Sequence, residues 1–154
     1  MQLVWHHAHR FLFCAASALV YHKLRCWSWQ QEPDFIVLLQ MKRNRQLNRF
    51  FIRDLNKDPS DWAEKDNTFD AVVCCVSVQY MQQPERVFAE IHRVLKPGGV
   101  CIMTFSSRLF YSKAIQGWRD NSAYSRVSLV KQYFQCIKGI VISKTVTFQQ
   151  FCLM

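Results

Sequence analysis

Residues 69–105 constrain this chain more than any other part of it. Phe69-Asp70-Ala71-Val72-Val73-Cys74-Cys75-Val76 is a near-continuous apolar run rather than an alternating one, and such runs suit strands covered on both faces, as in parallel sheets. Pro84 follows where a helix can begin, because its missing N–H is unpaired in a first turn anyway. Val87, Phe88, Ile91, Val94 and Leu95 then form one apolar stripe at helical spacing, with Glu85, Arg86, Glu90 and Arg93 away from it. Lys96-Pro97-Gly98-Gly99 stops the helix, and Val100-Cys101-Ile102-Met103-Thr104-Phe105 reads as a second buried strand. Strand, helix and strand at this spacing make one βαβ unit. The expectation is an α/β fold of mostly parallel strands with flanking helices: strands near 49–54, 70–76 and 100–105 are parallel, and helix 84–95 packs across the last two.

The other elements are less sharply written. Arg49-Phe50-Phe51-Ile52-Arg53-Asp54 reads as a short strand ending in a carboxylate, followed by a polar loop with Pro59 and Asp66-Asn67 as breakers. Helices are expected over Phe110–Trp118 and Ser125–Ile137, and an edge strand over Ile140–Phe148. Phe11–Tyr21 is an apolar stretch of eleven residues behind Arg10. It is too short to span a bilayer as a helix and fits a buried helix or the apolar core of a leader peptide equally well.

Composition narrows the function. The chain has 154 residues, half of them apolar, which suits one packed domain. The net charge of +9 is divided, with +6 at each end and −3 over residues 54–105. No run of five Lys/Arg occurs, so specific nucleic-acid recognition is not the expected role. The seven cysteines, at 14, 26, 74, 75, 101, 136 and 152, follow no disulfide or zinc spacing. Reduced thiols and a cytoplasmic setting fit them best, and no metal site is expected, the His6, His7, His9 cluster having no partner carboxylate.

Ligands in an open parallel sheet sit outside the carboxyl ends of the strands. That geometry selects Asp54-Leu55, Ser77-Val78-Gln79-Tyr80 and Ser106-Ser107-Arg108. A carboxylate at a strand end can accept from an exocyclic amine or a ribose while the next backbone N–H donates to a ring nitrogen; taken alone, Asp54 is more readily a turn cap. No Ser–His–Asp arrangement can be assembled, Ser77 is not in a G-x-S-x-G elbow, and the glycines of a phosphate-binding loop are absent.

Asp66-Asn67-Thr68-Phe69-Asp70-Ala71-Val72-Val73, then Pro84 to Leu95, then Arg93-Val94-Leu95-Lys96-Pro97-Gly98-Gly99-Val100 together resemble the central part of class I S-adenosylmethionine-dependent methyltransferases, in particular the type 11 methyltransferase domain. Lys42-Arg43-Asn44, Asp54-Leu55-Asn56 and Phe105-Ser106-Ser107-Arg108 extend the resemblance over residues 42–138. It implies a partial Rossmann-like methyltransferase domain there, leaving 1–41 and 139–154 unassigned. It also implies S-adenosylmethionine as cofactor, with Asp54 and Leu55 on its adenine, Val76 and Ser77 beside its methionine part, and Leu95–Gly99 in a structural turn. Methyl transfer from a sulfonium is an in-line displacement that positioning and desolvation can drive without an acid/base pair.

The family's glycine-rich loop after the first strand has no counterpart, since all four glycines lie at 98, 99, 117 and 139. Two functional readings therefore stand. One is a methyltransferase acting on a small-molecule acceptor, in a chain truncated relative to the family. The other is an inactive methyltransferase-like fragment that works as a protein-interaction module through an open sheet edge.

Overall fold

The computed structural model describes residues 2–7, 11–15, 47–106, 110–139 and 142, with side-chain environments from residue 53 onward, Cys75 apart. Five strands, β1 (Gln2–His7), β2 (Phe11–Ala15), β3 (Leu47–Arg53), β4 (Phe69–Cys75) and β5 (Leu95–Thr104), form one sheet in the order β3-β1-β2-β4-β5. Among the described residues three helices follow the β4 apolar run: α1 (Pro84–Val94), α2 (Gln116–Arg119) and α3 (Ala123–Gln135). No helix among the described residues is long and apolar enough to cross a membrane.

β2 is parallel to β4 and β4 to β5, whereas β1 is antiparallel to both β2 and β3. Four of the five strands, including the three expected near 49–54, 70–76 and 100–105, thus point the same way. The expected parallel set is present, but β3 is separated from β4 by β1 and β2. Part of the apolar stretch 11–21 is a strand, β2, rather than a buried helix; residues 16–21 lie outside the described residues, as does nearly all of the proposed edge strand 140–148.

The βαβ unit is built as its pattern predicts. Pro84 occupies the first turn of α1, and Val87, Phe88, Ile91 and Val94 are buried. They pack in one cluster with Val72 and Cys74, which alternate to the same face of β4, and with their β5 neighbours Cys101 and Met103. α3 closes over α1 through Phe134 and Tyr133, edge-on to Phe88 at 4.9 and 5.8 Å. Its start is capped by Ser122, whose hydroxyl accepts from the Ser125 N–H.

The Leu95–Gly99 turn lies within β5 instead of ahead of it. Leu95 pairs with Phe69 and Val100 with Ala71, so five steps along β5 face two along β4 and the excess bulges outward. Gly98 takes φ +79 in this bulge with open space where a Cβ would go, while a Cβ on Gly99 would stand 2.9 Å from the Lys96 carbonyl oxygen and 3.2 Å from that of Asp70. The two glycines are needed for different reasons. Gly98→Ala should cost about 1 kcal/mol from the left-handed conformation alone. Gly99→Ala should cost more, because backbone must move on both strands; equal midpoints for the two variants in urea denaturation would contradict the bulge.

The helix expected over Phe110–Trp118 is reduced to one turn at 110–114 and the short α2. Two backbone donors go to tertiary partners: Phe110 N–H donates to the Tyr80 hydroxyl and Ile115 N–H to the Gln79 carbonyl, each at 3.1 Å. These bonds lay the segment across the turn that follows β4, and α2 then buries Trp118, edge-on to Phe105 at 5.1 Å.

Candidate functional site

The strand registers align Arg53, Ala15, Cys75 and Thr104 at one end of the sheet, the carboxyl ends of β3, β2, β4 and β5. Asp54 and Leu55 leave β3 there, and Val76 and Ser77 leave β4. Three inter-strand steps separate the two exits, about 14 Å, so one molecule touching both must lie extended over the ends of β1 and β2.

Asp54 does two things that its sequence position left open. Its Oδ1 accepts from the Asn56 N–H at 3.1 Å, and its carbonyl accepts from the N–H groups of Lys57 and Asp58, so it caps a turn. Its Oδ2 and the Leu55 N–H have no hydrogen-bond partner among the described residues. One carboxylate oxygen and the adjacent donor are therefore available to an amine and a ring nitrogen. The Leu55 side chain is buried in the core and anchors this turn. Arg53 braces the loop beyond, pairing with Asp58 at 2.7 Å and donating to the Ser60 carbonyl.

Asn56, which the sequence marks only as part of a strand-end triplet, ties the two exits together. Its Nδ2 donates to the Tyr80 carbonyl at 3.0 Å, its Oδ1 accepts from Gln82 N–H at 2.9 Å, and its carbonyl accepts from Gln83 Nε2 at 3.1 Å.

The β4 exit is strained. Val76 has φ +49 while its N–H is held by the Thr104 carbonyl at 2.8 Å, and a β-branched residue in the left-handed region is a true outlier. Asp61 and Asn67 also have positive φ, but their short polar side chains tolerate it. With no glycine before position 98, this chain makes a tight turn at β4 from a residue that resists it. Relief of that strain in Val76→Gly should raise stability by about 1 kcal/mol, read as a higher melting midpoint; a lower one would mean that the side chain's packing outweighs the backbone cost. Ser77 is fully buried, and the one-turn 3-10 helix Val78–Tyr80 follows it. Gln79 within that turn is also fully buried, and neither its Oε1 nor its Nε2 has a hydrogen-bond partner among the described residues.

The loop between β3 and β4 is fastened to α1 by Arg93, which no motif of a site would single out. Its guanidinium donates to Glu90 Oε1 and Oε2, Asp66 Oδ1, and the Trp62 and Glu64 carbonyls, at 2.6–3.1 Å. Glu90 Oε2 also accepts from the Trp62 N–H at 2.8 Å. The Arg93 guanidinium beside Glu90 holds that carboxyl below the ordinary glutamate range, against the opposing effect of burial, and the Trp62 N–H adds to the lowering. Burial, and then the neighbouring Cys74 thiol, push the Cys101 thiol well up, so it is protonated and unreactive. Among the described residues no group of three His, Cys, Asp or Glu is arranged to hold a metal ion.

A sheet with four of five strands co-directed, an α1 crossover, and strand-end turns carrying a carboxylate and a buried hydroxyl make an α/β domain. A family model described as a methyltransferase domain, type 11, matches residues 15–103, more than half of the chain. The chain belongs to this methyltransferase-domain family. The match takes in the last residue of β2, both strand exits and most of β5. Neither a curated protein nor a solved structure matches the chain.

Proposed function

We propose that this chain is an S-adenosylmethionine-dependent methyltransferase acting on a small-molecule acceptor, with residues 42–138 as its partial methyltransferase domain and the cytoplasm as its place of action. The observation that carries the reading is the Asp54 turn: a family member presents, adjacent at the carboxyl end of β3, one carboxylate oxygen and one backbone N–H that have no partner among the described residues. Asp54 and Leu55 would hold the adenine, and Val76 and Ser77 would line the methionine part. The cofactor supplies an electrophilic methyl on a sulfonium. The chain's own residues orient the two ends of the bound molecule and keep water away, which such a displacement needs more than it needs a proton donor.

Calorimetric titration of the cooperatively folded chain with S-adenosylmethionine and S-adenosylhomocysteine tests this. Micromolar binding, about −8 kcal/mol, is the expected result. A folded chain that binds neither would leave the interaction-module reading, for which the outer edge of the sheet is the feature: among the described residues β5 has no outer neighbour, and its Val100 and Ile102 are exposed.

A further inference from the structure

The turn Val76–Tyr80 breaks two folding rules within four residues. Val76 is strained, and Gln79 buries an amide whose donor and acceptor both go unmet among the described residues. Each unmade hydrogen bond of a buried polar group costs stability, and a leucine at position 79 would avoid that cost. Local violations of this kind gather where a chain is shaped for a ligand rather than for stability.

We propose that the Gln79 side chain recognises the amino-acid end of the cofactor, a role that rests on the methyltransferase reading above. The argument is one of complementarity. A carboxamide presents a donor, Nε2, beside an acceptor, Oε1; an α-amino acid presents the reverse pair, a carboxylate that accepts beside an ammonium that donates. An adenine edge can also satisfy both halves of an amide, but an adenine held at the Asp54 turn is committed there, and the other end of the same molecule then lies over the β4 exit. Gln79 lies two residues beyond Ser77, in the turn that leaves that exit. It is fully buried, and in such low-dielectric surroundings hydrogen bonds to charged groups are stronger than in water. The side chain is fully enclosed in this structure, so binding involves a change of rotamer, which is common at interfaces.

The test compares two probes by calorimetry: S-adenosylhomocysteine, and 5′-methylthioadenosine, a nucleoside thioether lacking the amino-acid end. In Gln79→Leu, affinity for S-adenosylhomocysteine should fall about ten- to a hundredfold, with affinity for methylthioadenosine unchanged. Gln79→Glu, which loses the donor and sets a charge against the carboxylate, should show the same selective loss. Gln79→Met, closer in length to glutamine, repeats the comparison if the leucine variant does not fold. Unchanged affinity for S-adenosylhomocysteine together with a higher melting temperature would overturn the proposal and leave the amide a plain structural defect. Equal loss for both probes would overturn it too, because the effect would not belong to the amino-acid end. A wild-type chain that binds neither probe removes the methyltransferase reading itself, whereas one that binds both and ignores the substitution removes only the role of Gln79.

Discussion

Replacing Arg93 with alanine should lower the unfolding free energy by about 3 kcal/mol, roughly 6–12 °C in melting midpoint for a chain of this size. The effect exceeds that of an ordinary surface ion pair because Arg93 is only 30% exposed and Glu90 only 12%. Its guanidinium is also the shared donor to the Trp62 and Glu64 carbonyls. Removing it leaves Glu90 enclosed without its countercharge and frees the loop between β3 and β4 from α1. The Asp66 contact contributes little of this, since that carboxylate is 66% exposed.

The loss should also depend on pH, with a definite sign. Glu90 has a folded-state pKa below its ordinary 4.5, so its pairing is fully present above pH 4.5 and is lost as pH falls through the lowered value. Urea melts of both proteins at pH 7 and again below pH 4 provide the check. The gap between wild type and Arg93→Ala should narrow in acid, and a gap that widens would show that Glu90 is not the principal partner.

Asp54→Ala should abolish measurable binding of S-adenosylhomocysteine while leaving a folded chain. On the proposed function, the substitution removes the acceptor for the exocyclic amine and also the Asx turn that would aim the Leu55 N–H at the ring. Loss of a charge-assisted bond and of its alignment corresponds to about 3–4 kcal/mol, a factor of several hundred. Asp54→Asn separates the two roles. Its side-chain oxygen can still accept from the Asn56 N–H and keep the turn, so its stability should match wild type and its affinity should fall by an intermediate factor. Affinity in Asp54→Ala equal to wild type would remove Asp54 from the site.

Much of this was legible in local order along the chain. The apolar run of β4, the α1 stripe after Pro84 and the glycines of the β5 bulge carry their structural meaning in nearest-neighbour terms: periodicity, a fixed proline φ, and the one residue type that tolerates a left-handed turn. The strand-end rule likewise places Asp54 and Ser77 just beyond the carboxyl ends of their strands, where they lie. What local order does not contain is where a donor finds its partner across the fold. Asn56 joins residues 80–83 only because two strand exits come together, Arg93 collects five acceptors only because a loop folds back on α1, and the helix expected at 110–118 is broken by bonds to Tyr80 and Gln79. The placement of β1 and β2 between β3 and β4 is likewise a matter of sheet pairing, which residue pattern leaves open. The sequence by itself determined the βαβ unit and the strand-end carboxylate, because both follow from short-range sterics and burial. Only the tertiary structure decided the strain at Val76 and the unmet amide of Gln79, since strain and satisfaction are properties of what surrounds a residue.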